Sequence, residues 1–91
     1  MRKIEAQMNR AIRDGRNWAS ANTQVVIGFQ DSATVYLHGH HIATVTPDGE
    51  VVPNRETFRD WPTATTRSRL RALGVNASIK NFEACIDGVA L

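Results

Sequence analysis

The sequence predicts an α+β protein built as a single domain over residues 1–91. Three observations predict this class. Apolar residues recur at helical spacing near the N terminus, they alternate with polar residues in the middle of the chain, and turn-forming residues separate the alternating runs. The expected order is an N-terminal helix, an antiparallel meander of three or four strands, an arginine-rich helix and a C-terminal strand or hairpin.

The first segment is predicted to be an amphipathic helix. Ile4, Met8 and Ile12 recur at the helical spacing and share one side with Ala11, whereas the basic residues fall broadly on the opposite side. Gly15 gives the helix a natural end, because glycine readily adopts the left-handed conformation found after many helices.

The middle of the chain is predicted to form the meander. A run rich in β-branched residues begins at Thr23, and the next run, residues 33–38, alternates apolar and polar side chains. A third strand follows at residues 41–45, and the chain returns through residues 51–52. Alternation of this kind indicates strands with one buried face.

Two turn motifs determine how these strands are expected to pair. Gly39 and His40 are predicted to form a two-residue type II′ turn with glycine first, which pairs His38 with His41. Residues 46–50, TPDGE, combine proline, aspartate and glycine in the order typical of a type I turn followed by a left-handed bulge residue.

The C-terminal half contains two segments with alternative interpretations. Residues 54–61 fit either a short helix with an asparagine cap or an irregular segment, and Pro62 ends both. A helix is predicted within residues 63–75, with threonines as N-caps and Gly74 at the C′ position of a Schellman ending. The tail, residues 78–86, fits a strand before an Asp-Gly hairpin turn, and a helix is the competing interpretation.

The composition excludes several classes of protein. With 42% hydrophobic and 22% charged residues, the chain has the balance of a globular protein. No apolar run approaches the roughly 18 residues of a membrane span, and polar residues interrupt any signal-peptide core. The single cysteine, Cys85, has no partner for an internal disulfide and is expected in the core. We therefore expect a cytoplasmic protein without a membrane partner.

The positive charge is concentrated in two segments. Residues 1–17 and residues 55–71 each hold five basic against two acidic residues, a net charge of +3, and no lysine or arginine lies between Trp18 and Asn54. Such runs are typical of a solvated helix face, of phosphate contacts or of contact with an acidic protein. The residues expected to face a partner or a phosphate are Lys3, Arg10, Arg13, Arg67, Arg69 and Arg71.

The arginines of the second basic segment alternate along its predicted helix. Successive members step by about 200° around the helix axis, which is expected to spread them over the side away from Leu70 and Leu73. The helix also begins with threonines as candidate caps, and a capped helix N terminus is suited to anions.

The meander offers a second candidate surface. Tyr36 and His38 lie on the polar face of their predicted strand, and His41 is expected opposite His38, so these three residues form the predicted sheet-face contact. The histidines have no cysteine or acidic residue at ligand spacing, and the sequence predicts no metal site. It also lacks a paired nucleophile and base and a glycine-rich phosphate loop, so we expect neither an enzyme nor a cofactor.

Two segments resemble a family of small bacteriophage proteins: VYLHGHHIA at residues 35–43 and WPTATTRSRLRALG at residues 61–74. The N-terminal MRKIEAQMNRAI and the Asn22-Thr23 pair fit the same family, so the resemblance covers most of the chain. It implies a phage origin and action in the cytoplasm of an infected bacterium. It carries no catalytic residues over to this chain.

These observations together predict a small phage-type accessory protein that acts by binding. Its expected partner is a host protein or nucleoprotein complex, which it modulates for host takeover or against a defence system. The alternative is direct nucleic-acid binding, in which the two basic helices contact phosphates without reading bases. An enzyme ranks third.

Overall fold

Three α-helices, a short 3₁₀ turn (Phe29–Asp31) and two antiparallel sheets make up the fold in the computed structural model, which describes residues 1–91. The helices are α1 (Lys3–Asp14), α2 (Arg55–Asp60) and α3 (Ala64–Ala72). The first sheet is a meander of β1 (Trp18–Ser20), β2 (Thr23–Ile27), β3 (Ala33–Leu37), β4 (His40–Val45) and β5 (Val51–Pro53), in that order. The second sheet consists of β6 (Ala77–Lys80), β7 (Glu83–Ile86) and β8 (Val89–Ala90), in that order. The predicted α+β class is confirmed, with five meander strands where three or four were expected.

Local sequence signals mark the end of α1 and both ends of α3. Gly15 follows α1 with a φ of 64°, in the left-handed conformation. The Thr63 hydroxyl accepts a hydrogen bond from the Thr66 N–H at 3.1 Å and caps α3. At the other end, Gly74 has a φ of 100° and the Val75 N–H donates to the Leu70 carbonyl at 3.0 Å. The predicted Schellman ending is confirmed.

The main core lies between the first sheet and the helices. Met8 on α1, Val25 and Val35 on the sheet, and Leu70 on α3 are all fully buried. The ambiguous segment 54–61 forms the short helix α2, capped by an asparagine, and it contacts both β4 and β7. α2 therefore links the two sheets. None of the helices is long and apolar enough to cross a membrane.

The hairpin between β3 and β4 differs from the prediction. His38 and Gly39 form its turn, with φ values of 52° and 79°, so both turn residues are left-handed as a type I′ turn requires. Tyr36 therefore pairs with His41, and the predicted pairing of His38 with His41 is wrong. The predicted turn, Gly39-His40, lies one residue later than the observed one, because glycine suits either the first or the second position of a two-residue turn.

A β-bulge in β4 accompanies this register. Val35 pairs with Ala43 and Tyr36 pairs with His41, which leaves Ile42 as the extra residue on β4. Ile42 and Ala43 are both buried, at 1% and 0% exposure. The bulge thus lets β4 place two successive side chains in the core.

The C-terminal segment forms strands rather than the competing helix. Asn81 and Phe82, with φ values of 52° and 65°, form a two-residue turn between β6 and β7. Asp87 and Gly88 form a second left-handed turn, at 54° and 79°, before β8. The predicted Asp-Gly hairpin turn is confirmed.

Candidate functional site: an arginine-lined trough

Arg69 lies in the interior of the protein. Its side chain is 4% exposed, and its Nη1 donates to Glu5 Oε2 at 2.8 Å. Its Nε donates to Thr23 Oγ1 at 3.0 Å, and its Nη2 donates to Asn22 Oδ1 at 3.3 Å. The prediction that Arg69 lies on an exposed helix face for a partner or phosphate is wrong, because its guanidinium group neutralises a buried carboxylate.

Glu5 is the partner that keeps Arg69 buried. Burial raises the pKa of the Glu5 carboxyl, but hydrogen bonds from Ser68 and Arg69 lower it by more, so the pKa lies below its ordinary value of 4.5. Glu5 is therefore ionised at neutral pH, and its ion pair with Arg69 joins α1 to α3. The sequence contains one signal for this pair: Glu5 lies one helical turn before Met8, and therefore on the buried side of α1.

The lowered pKa of Glu5 predicts an acid-sensitive contribution to stability. A carboxyl with a depressed folded-state pKa stabilises the protein above its unfolded-state value, and this contribution is lost as the pH falls through the folded-state pKa. We expect the free energy of unfolding, measured with urea, to fall more steeply below pH 4.5 in the parent than in Glu5→Gln. If the free energy of unfolding had the same pH dependence in both proteins, the lowered pKa of Glu5 would be contradicted.

A trough of about 560 Å³ runs over the outer face of α3, between the start of α1 and β6. Arg2 belongs to the α1 side of its lining, and Arg67 and Arg71 project from α3. Small side chains spaced four residues apart on α3 line it as well: Ala64, Ser68 and Ala72. The trough therefore combines open space with three guanidinium groups.

The trough is electropositive because its single carboxylate is already neutralised. Glu5 lies among the lining residues, but Arg69 pairs with it from the buried side. The guanidinium groups of Arg2 and Arg67 take part in none of the ion pairs of the protein. Arg71 donates to the Ala77 carbonyl at 2.9 Å, a neutral acceptor that leaves its charge uncompensated.

The trough unites only part of the predicted basic set. Lys3, Arg10 and Arg13 are exposed on α1 and are absent from the trough lining. Arg13 lies 3.7 Å from Asp14, which offsets its charge. Of the predicted contacts, the trough contains Arg67 and Arg71. Arg2 is not among the site residues that the sequence predicts, because nothing local shows that the start of α1 adjoins α3.

A family model described as Kyanoviridae Gp96 protein matches residues 1–90. The chain belongs to this phage protein family. The expected membership of a phage protein family is confirmed. No curated protein and no solved structure matches the chain.

The predicted sheet-face contact is divided in this Gp96-family protein. Tyr36 and His41 are half-buried cross-strand neighbours, with ring centroids 6.1 Å apart, on the face of the first sheet away from the core. His41 Nε2 lies at hydrogen-bond distance, 2.9 Å, from Thr44 Oγ1. His38 lies in the exposed turn and not on this face, so its predicted position beside Tyr36 on the strand is wrong.

The remaining histidine of the chain, His40, takes part in a different feature. His40 stacks on Trp61, with ring centroids 5.5 Å apart and planes inclined by 26°. Both rings line a recess of about 340 Å³ together with threonines from the start of α3. No group of three or more His, Cys, Asp or Glu side chains lies close enough together to hold a metal ion.

Proposed function

We propose that this Gp96-family protein acts by binding rather than by catalysis, and that its trough holds an acidic segment of a protein partner. One observation carries the proposal: Arg2, Arg67 and Arg71 line one concave surface whose carboxylate, Glu5, is already paired. Arginine binds carboxylates through charge-assisted hydrogen bonds, which are about twice as strong as neutral ones. A partner that carries carboxylates thus supplies the missing counter-charges.

The distribution of the other charges supports the same surface. Arg13 and Arg16 lie beside Asp14, and Arg59 lies 3.3 Å from Asp60, so these arginines have acidic neighbours within the chain. With a net charge of only +2, the protein has little positive charge to spare. The trough brings together three arginines that form no ion pair within the chain.

Direct nucleic-acid binding is the second candidate function. Two features favour it. α1 packs against α3, so both basic helices lie on the same side of the molecule, and Lys3 and Arg10 are exposed on α1. The burial of Arg69 removes one of the expected phosphate contacts. Each lost contact lowers the electrostatic share of duplex affinity, so we rank an acidic protein partner first.

The phage family supports a partner in the infected bacterium. We propose a host protein, alone or within a nucleoprotein complex, whose activity the bound phage protein modulates. A defence complex is one such target, and an acidic segment on the surface of such a complex fits the trough by charge.

We expect Arg67→Glu to weaken binding of an acidic peptide by about tenfold or more, since a charge-assisted hydrogen bond contributes about 1.5–3 kcal/mol. The probe is a fluorescein-labelled peptide of alternating glutamate and threonine, and the measurement is fluorescence anisotropy. Arg10→Glu is the matched control, because it makes the same charge change on an exposed face of α1 outside the trough.

A short DNA duplex, measured in parallel, separates the two candidate functions. An acidic partner predicts weak duplex binding at about 150 mM salt, with affinity for the peptide lost in Arg67→Glu and kept in Arg10→Glu. Tight duplex binding that both variants weaken alike, with no binding of the peptide, would replace the proposal with nucleic-acid binding.

A further inference from the structure

One wall of the trough is the edge of a β-sheet. β6 is the first strand in the order β6-β7-β8, so only one of its sides is paired. Ala77, Ser78 and Ile79 of β6 all line the trough. An unpaired strand edge presents backbone N–H and C=O groups that can pair with another extended chain.

The register shows which backbone groups face the trough. The two-residue turn makes Lys80 and Glu83 a hydrogen-bonded pair, and such pairs alternate along an antiparallel ladder. Every second pair from Lys80–Glu83 is therefore hydrogen-bonded. The Asn76–Asp87 pair belongs to this series, since the Asp87 N–H donates to the Asn76 carbonyl at 2.9 Å. The N–H and C=O of Ile79 therefore point away from β7.

Ile79 is the residue of β6 at which this edge is free. The other outward-facing residue is Ala77, whose N–H donates to the Val75 carbonyl at 2.9 Å. The Ala77 carbonyl accepts from Arg71 Nη1 at 2.9 Å. An incoming strand can thus exchange two backbone hydrogen bonds with Ile79, two residues along β6 from the carbonyl that binds Arg71.

An exposed aromatic side chain lies at the end of the same strand. Phe82 is 93% exposed, and its φ of 65° is in the left-handed region that disfavours a bulky side chain. The side chain therefore contributes no packing to the fold, while its backbone is strained. Strain of this kind is concentrated at binding sites, and an exposed aromatic ring is a suitable apolar anchor.

We infer that the acidic segment binds as an added β-strand on the free edge of β6, paired at Ile79. Alternate side chains of the segment place carboxylates toward Arg67 and Arg71, and an apolar residue contacts Phe82. This inference rests on the proposed function and specifies how the partner lies in the trough. A second copy of the chain is a poor occupant, because two arginine-lined troughs repel each other.

Backbone pairing is tested on the parent protein with modified peptides. Two isomers of the alternating glutamate–threonine peptide carry N-methyl groups on alternate residues, one set on the glutamates and the other on the threonines. Strand addition predicts that one isomer loses affinity by at least tenfold, whereas the other binds like the unmodified peptide. Hydrogen exchange followed by NMR is expected to show the Ile79 amide protected only in the complex.

Variants test the two residues that carry the inference. Ile79→Pro removes the outward N–H, a change that edge strands tolerate, and is expected to bind at least tenfold more weakly than Ile79→Ala. Phe82→Gly creates an Asn-Gly turn suited to type I′ geometry and is expected to raise the melting temperature. It is also expected to lower affinity for a peptide in which leucine replaces one terminal threonine, because that leucine supplies the apolar contact to Phe82.

The outcomes separate this inference from the proposed function. Peptide binding that depends on Arg67 but tolerates both N-methyl isomers and leaves Ile79 unprotected overturns strand addition and retains the acidic-partner function. Failure of the parent to bind the unmodified peptide overturns both. Should Ile79→Pro fail to fold, the N-methyl isomers still decide the question on the parent protein.

Discussion

Replacement of Arg69 with alanine is expected to destabilise the protein by about 3–5 kcal/mol, because it leaves the Glu5 carboxylate buried without its counter-charge. The substitution also removes hydrogen bonds to Thr23 and Asn22, so two chain segments, the start of α1 and the start of β2, lose a shared partner. A domain of ordinary stability has about 5–15 kcal/mol in total. Urea unfolding at neutral pH measures the change.

Arg67→Ala is the matched control, since Arg67 is two residues away on the same helix and forms no ion pair. We expect this control to change stability by no more than about 0.5 kcal/mol. The double variant Glu5→Leu, Arg69→Met removes both charges together and is expected to recover most of the loss. Equal stability of Arg69→Ala and Arg67→Ala would show that the ion pair does not hold α1 to α3.

Replacement of Phe58 with alanine is expected to cost about 3–5 kcal/mol, through lost apolar burial and the cavity left behind. Phe58 is the largest fully buried side chain, and it projects from α2, which contacts β4 and β7. Its loss therefore weakens the contact between the two sheets as well as the core. Thermal or urea unfolding measures the effect.

Trp61→Ala gives the comparison for Phe58, because it removes an aromatic ring only three residues away. Trp61 is 56% exposed and stacks on His40. We expect its replacement to cost about 1 kcal/mol or less, in the range of an exposed aromatic pair. A larger loss from Trp61→Ala than from Phe58→Ala would contradict the placement of α2.

The buried ion pair also connects stability with the proposed function. Glu5 and Arg69 fix the start of α1 against α3, and this contact sets the position of Arg2 relative to Arg67. Since Arg69 supplies the charge that Glu5 needs, the arginines that line the trough have no carboxylate partner within the chain, as the proposed function requires. The alternating arginines of α3 thus have two different roles, one internal and two at the surface.

The sequence by itself determined the features whose causes lie within a few residues. The apolar spacing of α1, the threonine cap of α3 and the Gly74 ending all depend on contacts within about one or two helical turns, so local pattern predicts them. The Asp87-Gly88 turn belongs to the same group, because both residue types tolerate left-handed backbone.

Only the tertiary structure decided which surfaces are free. Arg69 is buried because α1 brings Glu5 against α3, a contact between residues 64 positions apart that no local pattern contains. The β3–β4 register depends on a bulge that places both Ile42 and Ala43 in the core, and local turn preference does not specify that choice. The trough likewise requires the start of α1, α3 and β6 to meet, and its charge follows from which arginines that packing leaves exposed.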